Sequence, residues 1–250
     1  MIETLSQPVV FAHRGASAYA PENTMAAFQL ALEQGAQAIE FDVKLSADEE
    51  IVVIHDPTVN RTTNASGNVA RLPLAALREL DAGSWFGAAF RGEKIPTLHE
   101  VLAAFGQMLL LNIELTNYIT PFDALVPKVV DLIQKYGVEQ NILFSSFYPH
   151  NLVRAARLLP SVPRAQAIWP GRAGGWQRAW GRMIDVQAEH PWLGDVNAAT
   201  IENAHQHKRR IHAWTVNDPV EMRRLNALHI DGIFTDDPLT ALEITQSPNH

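Results

Sequence analysis

Short β-branched runs alternate with stretches of helical period along most of the chain, the pattern of repeated βα units around a parallel sheet. The runs fall at residues 9–12, 38–45, 109–115, 142–146, 164–168, 185–189, 210–216 and 232–235. Another run, 51–54, follows the second too closely for a helical crossover, so it should pair antiparallel as a hairpin outside the count. Eight parallel strands close a barrel, whereas an open doubly wound sheet carries a Gly-rich phosphate turn after its first strand, and none is present. The expected fold is therefore α/β, a (β/α)8 TIM barrel with a small insertion after strand 2. The first helix should start near residue 24, with Asn23 or Thr24 as N-cap and Met25, Phe28 and Leu32 on one face. A second helix is expected over 97–105. Residues 57–96 are polar and turn-rich, and so long an irregular stretch in a compact domain is usually functional. The chain reads as one domain, 1–250, with 57–96 as a capping insertion and frayed ends at 1–7 and 246–250.

Bulk properties narrow the partners. At 250 residues, 47% hydrophobic and 19% charged, the chain can bury one sizeable core. Its formal charge of −7 repels nucleic acid and anionic lipid surfaces, so a nucleic-acid partner is not expected, and a phosphate-bearing substrate would need a local cation. The absence of cysteine excludes disulfide and thiol chemistry. Met1 to Ser6 show no basic leader or apolar signal stretch, and no run approaches the ~18 apolar residues of a membrane span. A cytoplasmic protein without stable membrane insertion is the expectation. Barrels of this kind often self-associate, so a homo-oligomer is possible, but no surface patch here identifies an interface.

Catalytic groups in a barrel gather at the carboxyl ends of strands, and unusual polar residues collect there. Strand 1 ends in His13-Arg14-Gly15, strand 2 carries Glu40-Phe41-Asp42, the hairpin ends in His55-Asp56, and strand 3 carries Asn112-Ile113-Glu114. Glu40 and Asp42, two apart on a strand, share one face, and an inward carboxylate pair is costly without a compensating cation. Glu114 on the next parallel strand completes three hard oxygen ligands, suited to one divalent cation, Mg2+ or Ca2+. A single acid would be read as a salt bridge to Lys44 or a nearby arginine; three on adjacent strand ends favour a metal. His13 and His55 can give or take a proton, and phosphodiester cleavage needs both operations. Arg14 offers a fork for a phosphate oxygen or, equally, a rim salt bridge. Trp214 could wall off a substrate or belong to the core. His150, His190, His205, His207 and His212 lack comparable acidic company and read as surface or packing residues. Lys208-Arg209-Arg210 reads as a solvated helix end.

Together with Pro21-Glu22-Asn23-Thr24, Arg61-Thr62-Thr63, Ala82-Gly83-Ser84-Trp85-Phe86, Ile95-Pro96-Thr97-Leu98, Ser145-Ser146-Phe147, Trp214-Thr215-Val216-Asn217 and Gly232-Ile233-Phe234-Thr235-Asp236, these motifs are recognisable in family order. Over nearly its whole length the chain resembles the glycerophosphodiester phosphodiesterase family, especially its small bacterial cytoplasmic members. The resemblance implies a (β/α)8 barrel enzyme of glycerol and lipid metabolism. Its hydrolase activity would release glycerol 3-phosphate and an alcohol from a small glycerophosphodiester. It also implies that Glu40, Asp42 and Glu114 hold the ion, that His13 and His55 are the acid/base pair, that Arg14 contacts phosphate, and that Glu22 and Trp214 line the site. The sequence departs from the pattern at one place. Many members have a lysine two residues beyond the third acid; here Thr116 and then Asn117 follow, leaving Asn117 or Lys44 to substitute. Which histidine is acid and which base stays open, as does whether water or the substrate's own glycerol hydroxyl attacks. The rival readings are a phospholipase D-like lyase that forms a cyclic phosphate and a non-catalytic phosphodiester-binding barrel.

Overall fold

The computed structural model describes residues 5, 7–118, 120–181 and 184–246, so the expectation of frayed ends lies largely outside the described residues. Eight parallel strands close a ring: β1 (Val9–His13), β2 (Ala38–Leu45), β4 (Leu110–Leu115), β5 (Ile142–Ser146), β6 (Arg164–Ile168), β7 (Ala188–Pro191), β8 (Arg210–Ala213) and β9 (Gly232–Thr235), with β1 pairing both β2 and β9. The short β3 (Ile51–Val53) pairs antiparallel with β2, as the close spacing requires. Helices α1 (Met25–Glu33), α3 (Leu98–Phe105), α4 (Leu125–Tyr136), α5 (Pro149–Leu158), α6 (Arg172–Gly181), α7 (Ala198–Gln206), α8 (Pro219–Ala227) and α9 (Pro238–Gln246) follow successive barrel strands, so the (β/α)8 expectation is met. Helix α2 (Leu74–Glu79) lies within residues 57–96. Among the described residues no helix is long and apolar enough to cross a membrane.

The helix starts have local causes. Thr24 caps α1 by accepting from the Ala27 amide, and Thr97 with Glu100 forms a full capping box on α3. Both starts lie within one residue of their expected positions.

Strand periodicity divides the core in two. On β2, Ile39, Phe41 and Val43 pack outward with Phe28, Leu98 and Val101, while Ala38 belongs to an interior cluster with Val9, Phe11, Leu110, Leu143, Ala165, Ala188 and Phe234. That interior cluster fills the floor of the barrel, and the inward positions further along each strand must therefore face the mouth. On β2 these are Glu40, Asp42 and Lys44; on β4 they are Asn112 and Glu114, with Thr116 just past the strand's end. The register sets His13 beside Glu40, Glu40 beside Asn112, and Asp42 beside Glu114.

Three sequence expectations need correction. The strand placed at 185–189 runs instead over Ala188–Pro191, which puts His190 inside the barrel wall. The strand placed at 210–216 ends at Ala213, so Trp214 stands just beyond it. Lys208-Arg209-Arg210 is not wholly a solvated helix end either: Arg209 is nearly buried and pairs with Glu189 at 3.0 Å.

Candidate active site

The turn after β1 shapes one wall of the mouth. Arg14 takes a left-handed backbone (φ 59°), Gly15 follows at φ 86°, and a β-carbon on Gly15 would fall 2.6 Å from the Ala27 carbonyl carbon. This tight turn directs the Arg14 amide at the Glu40 carbonyl (2.9 Å) and at Glu40 Oε2 (3.1 Å). The Arg14 guanidinium reaches Glu22 at 2.8 Å and Asp42 at 3.5 Å. Asn23, also left-handed, donates from Nδ2 to Asp42 Oδ2 at 3.0 Å.

Glu40, Asp42 and Glu114 each offer an oxygen, all within 4.8 Å of one another. Burial, then the neighbouring charges of Asp42 and Glu114, push the Glu40 carboxyl well above its usual range. Burial and Asp42 raise Glu114 to about 7. Burial also pushes Asp42 upward, but Arg14, His55, Lys44 and the Asn23 bond outweigh it and hold this acid low. Crowded carboxylates of this kind are relieved by a cation in their midst. A further oxygen is available: Asn112 donates from Nδ2 to Ser145 while its buried Oδ1 has no partner among the described residues. The donor set is all oxygen and fits a hard divalent ion. Tyr118 donates its hydroxyl to Glu114 Oε1 at 2.5 Å and orients that acid.

Both expected histidines border the same cavity, of about 390 Å³, which is also lined by Arg14, Glu40, Asp42, Glu114 and Trp214. His13 Nδ1 meets Asp236 Oδ1 at 2.6 Å, and His55 Nδ1 meets Asp56 Oδ1 at 2.7 Å. Bonds from His13, Asn217 and Ser17 hold Asp236 below the usual carboxylate range against the upward push of burial. Bonds from Arg61 and His55 do the same for Asp56. An ionised carboxylate only accepts, so in each pair Nδ1–H donates and Nε2 is left to exchange protons. Glu22 stands behind the cavity rather than on its wall. It joins Arg14 to Arg61, whose guanidinium reaches Glu22 at 2.5 Å and Asp56 at 2.8 Å.

The opposite side of the cavity is aromatic. Phe147 stacks on Trp169 with ring centroids 4.3 Å apart and meets Trp214 edge-on at 5.7 Å. The Trp214 indole N–H donates to the His190 carbonyl at 2.6 Å, fixing the ring as a wall. Phe147, Trp169, Tyr118 and Asp236 were not singled out as site residues from the sequence. Asp236 carries a signal in its place at the end of the last strand and Phe147 in the Ser145-Ser146-Phe147 motif, whereas Tyr118 and Trp169 lie outside the recognisable motifs. His190 and His212 are buried, as packing residues should be, whereas His205 has the acidic partner the sequence did not suggest, Asp231 at 2.7 Å.

Comparison with known proteins agrees with this architecture. The model of the glycerophosphoryl diester phosphodiesterase family matches residues 13–240. A glycerophosphodiester phosphodiesterase of Caldanaerobacter subterraneus subsp. tengcongensis is 36% identical over 95% of this chain and 98% of its own. One from Bacillus altitudinis is 34% identical over 95% and 98%. Among solved structures, an Oleispira antarctica phosphodiesterase in complex with the product sn-glycerol-3-phosphate superposes with a TM-score of 0.87 at 32% identity, covering 96% of this chain and 97% of that one. Since the matched region begins at His13 and runs past Asp236, it contains the acidic cup, both histidines and their aspartates; the chain belongs to the glycerophosphoryl diester phosphodiesterase family.

Proposed function

We propose that this chain hydrolyses glycerophosphodiesters to glycerol 3-phosphate and an alcohol, with Mg2+ or Ca2+ at Glu40, Asp42 and Glu114 and with His13 and His55 as the proton-transfer pair. One observation carries the reading: an oxygen-only carboxylate cup shares a cavity with two imidazoles, each fixed through Nδ1 by an aspartate. The relatives named for this activity, and the product-bound Oleispira enzyme, support it.

The chain's own residues divide the work. When bound, a divalent ion in the cup supplies Lewis-acid polarisation of a phosphoryl oxygen. Arg14 presents its guanidinium from the strand-1 turn to the charge that develops on the phosphoryl group. One imidazole takes a proton from the attacking oxygen through Nε2 while the other gives one to the departing alcohol. Asp236 and Asp56 keep each ring in the tautomer that this exchange needs. The aromatic wall excludes water from the non-reacting part of the substrate. Residues 57–96 act as the capping insertion of a single barrel domain, tied to the mouth through Arg61 on Glu22 and Asp56.

The test is turnover of glycerophosphocholine with Mg2+ or Ca2+, followed by product analysis. Release of glycerol 3-phosphate and its loss on adding EDTA are expected. Accumulation of a cyclic phosphate would make the chain a lyase, and binding without turnover would make it a receptor.

A further inference from the structure

The cations around the acidic cup differ in what they pair with. Arg14 is shared between Glu22 and Asp42, and Arg61 between Glu22 and Asp56. Lys44 differs. It follows Asp42 by two positions on β2 and so shares the inward face. One step beyond the paired Asp42 and Glu114, it stands opposite Thr116, and its ammonium donates to the Thr116 hydroxyl at 2.6 Å and to the Thr116 carbonyl at 3.0 Å. Among the described residues no carboxylate oxygen lies within 4.0 Å of it. An ammonium has three donors, and among the described residues only two are engaged, both by neutral oxygens. The ring of Tyr118, which lines the cavity and bonds Glu114, lies 5.7 Å from Nζ.

Asn117, the other sequence-level substitute for a second cation, is tied into its own loop. Its amide donates to Asp123 at 2.8 Å, and its oxygen accepts from Asn151 at 2.7 Å. The electrostatic requirement remains. A doubly charged ion cannot neutralise three carboxylates, and a phosphodiester adds a further negative charge, so Arg14 alone leaves the loaded site negative.

We propose that Lys44 is the second cation of the phosphate site, held by Thr116 at the rim of the acidic cup and turning its unengaged N–H to a phosphoryl oxygen of the substrate. This rests on the phosphodiester reading of the cavity. Lysine suits the role because its flexible stem lets the charge move from Thr116 to an incoming anion at small cost.

The experiment compares wild type with Lys44→Gln, Lys44→Arg and the relocated-charge double variant Lys44→Gln/Thr116→Lys. Glycerol 3-phosphate binding is measured by calorimetry in Mg2+, and KM and kcat are measured on glycerophosphocholine. Lys44→Gln is expected to weaken product binding and raise KM about tenfold, as for one lost charge-assisted hydrogen bond, with thermal stability and Mg2+ affinity retained. Lys44→Arg, and the double variant that returns the ammonium from β4, should recover most of the loss. Unchanged product affinity and KM in Lys44→Gln would overturn the proposal. So would a fall in melting temperature with kinetics intact, which would make Lys44 only a strand tie. If the wild type turns over no glycerophosphodiester, the proposed function fails by itself; the calorimetric comparison then still decides whether Lys44 serves a phosphate.

Discussion

His13 and His55 each hand Nδ1 to an aspartate, whereas His190 and His212 face one another, with His212 Nδ1 3.0 Å from His190 Nε2 and, among the described residues, no partner on His212 Nε2. All four side chains belong to the barrel or its mouth, and they differ in what surrounds them. At the mouth, a carboxylate beside the ring can compensate a proton that arrives on it. On the floor the pair is ringed by Phe11 and Phe234, with centroids about 5 Å from the nearer imidazole. There burial, and then the neighbouring imidazole, push His190 well below the usual histidine range; burial likewise takes His212 down to about 3. In the proposed mechanism the mouth pair exchanges protons, whereas burial on the floor keeps the other pair from taking them up.

The largest effects should come from the mouth. His13→Ala or His55→Ala should each lower kcat by roughly 10³-fold, the middle of the range for acid–base catalysis, with the melting temperature essentially unchanged. Near wild-type turnover in either purified variant would end the symmetry drawn between the two mouth rings. Asp236→Asn should cost less, about 10²-fold in kcat with KM retained, since the ring stays in place but loses the charge that sets its tautomer. A rise in KM with kcat unchanged would mean that Asp236 acts on substrate rather than on His13. Neither effect is expected from the floor: His212→Asn, which keeps a polar atom near the place of Nδ1, should leave kcat at pH 8 within about twofold.

This division was half visible in the sequence. The period-2 alternation of Glu40-Phe41-Asp42 shows on its own that two acids share a face, and the apolar runs around them show that the face is interior. Strand counting then places Glu114 next to them. The partner of His13 was hidden, because Asp236 lies 223 residues away and meets it only when β9 closes the ring onto β1. The floor pair was hidden for another reason. β7 reads Ala-Glu-His-Pro, with no β-branched residue to mark a strand, so the sequence pattern starts the run three residues early and leaves His190 outside it. The aromatic wall sits on loops, where no periodicity reports direction. Phe147 and Trp169 therefore become neighbours only through the packing of β5 against β6.

The smallest predicted effect isolates the floor. A histidine whose folded pKa lies below its unfolded value of about 6.5 contributes fully to stability above that value. As pH falls the unfolded chain takes up protons that the fold refuses, and the contribution drains away until the folded pKa is reached, about 3 for His212. Between pH 6.5 and 5 each such ring costs roughly 2 kcal/mol, at about 1.4 kcal/mol per pH unit. Urea titrations of wild type and His212→Asn at pH 8, 6.5 and 5 measure it directly. The wild type should lose more stability than the variant, by about one ring's share at pH 5 and by nothing between pH 8 and 6.5. Parallel curves down to pH 5 would mean that the floor accepts a proton after all, and that the carboxylates at the mouth are not what separates the two pairs.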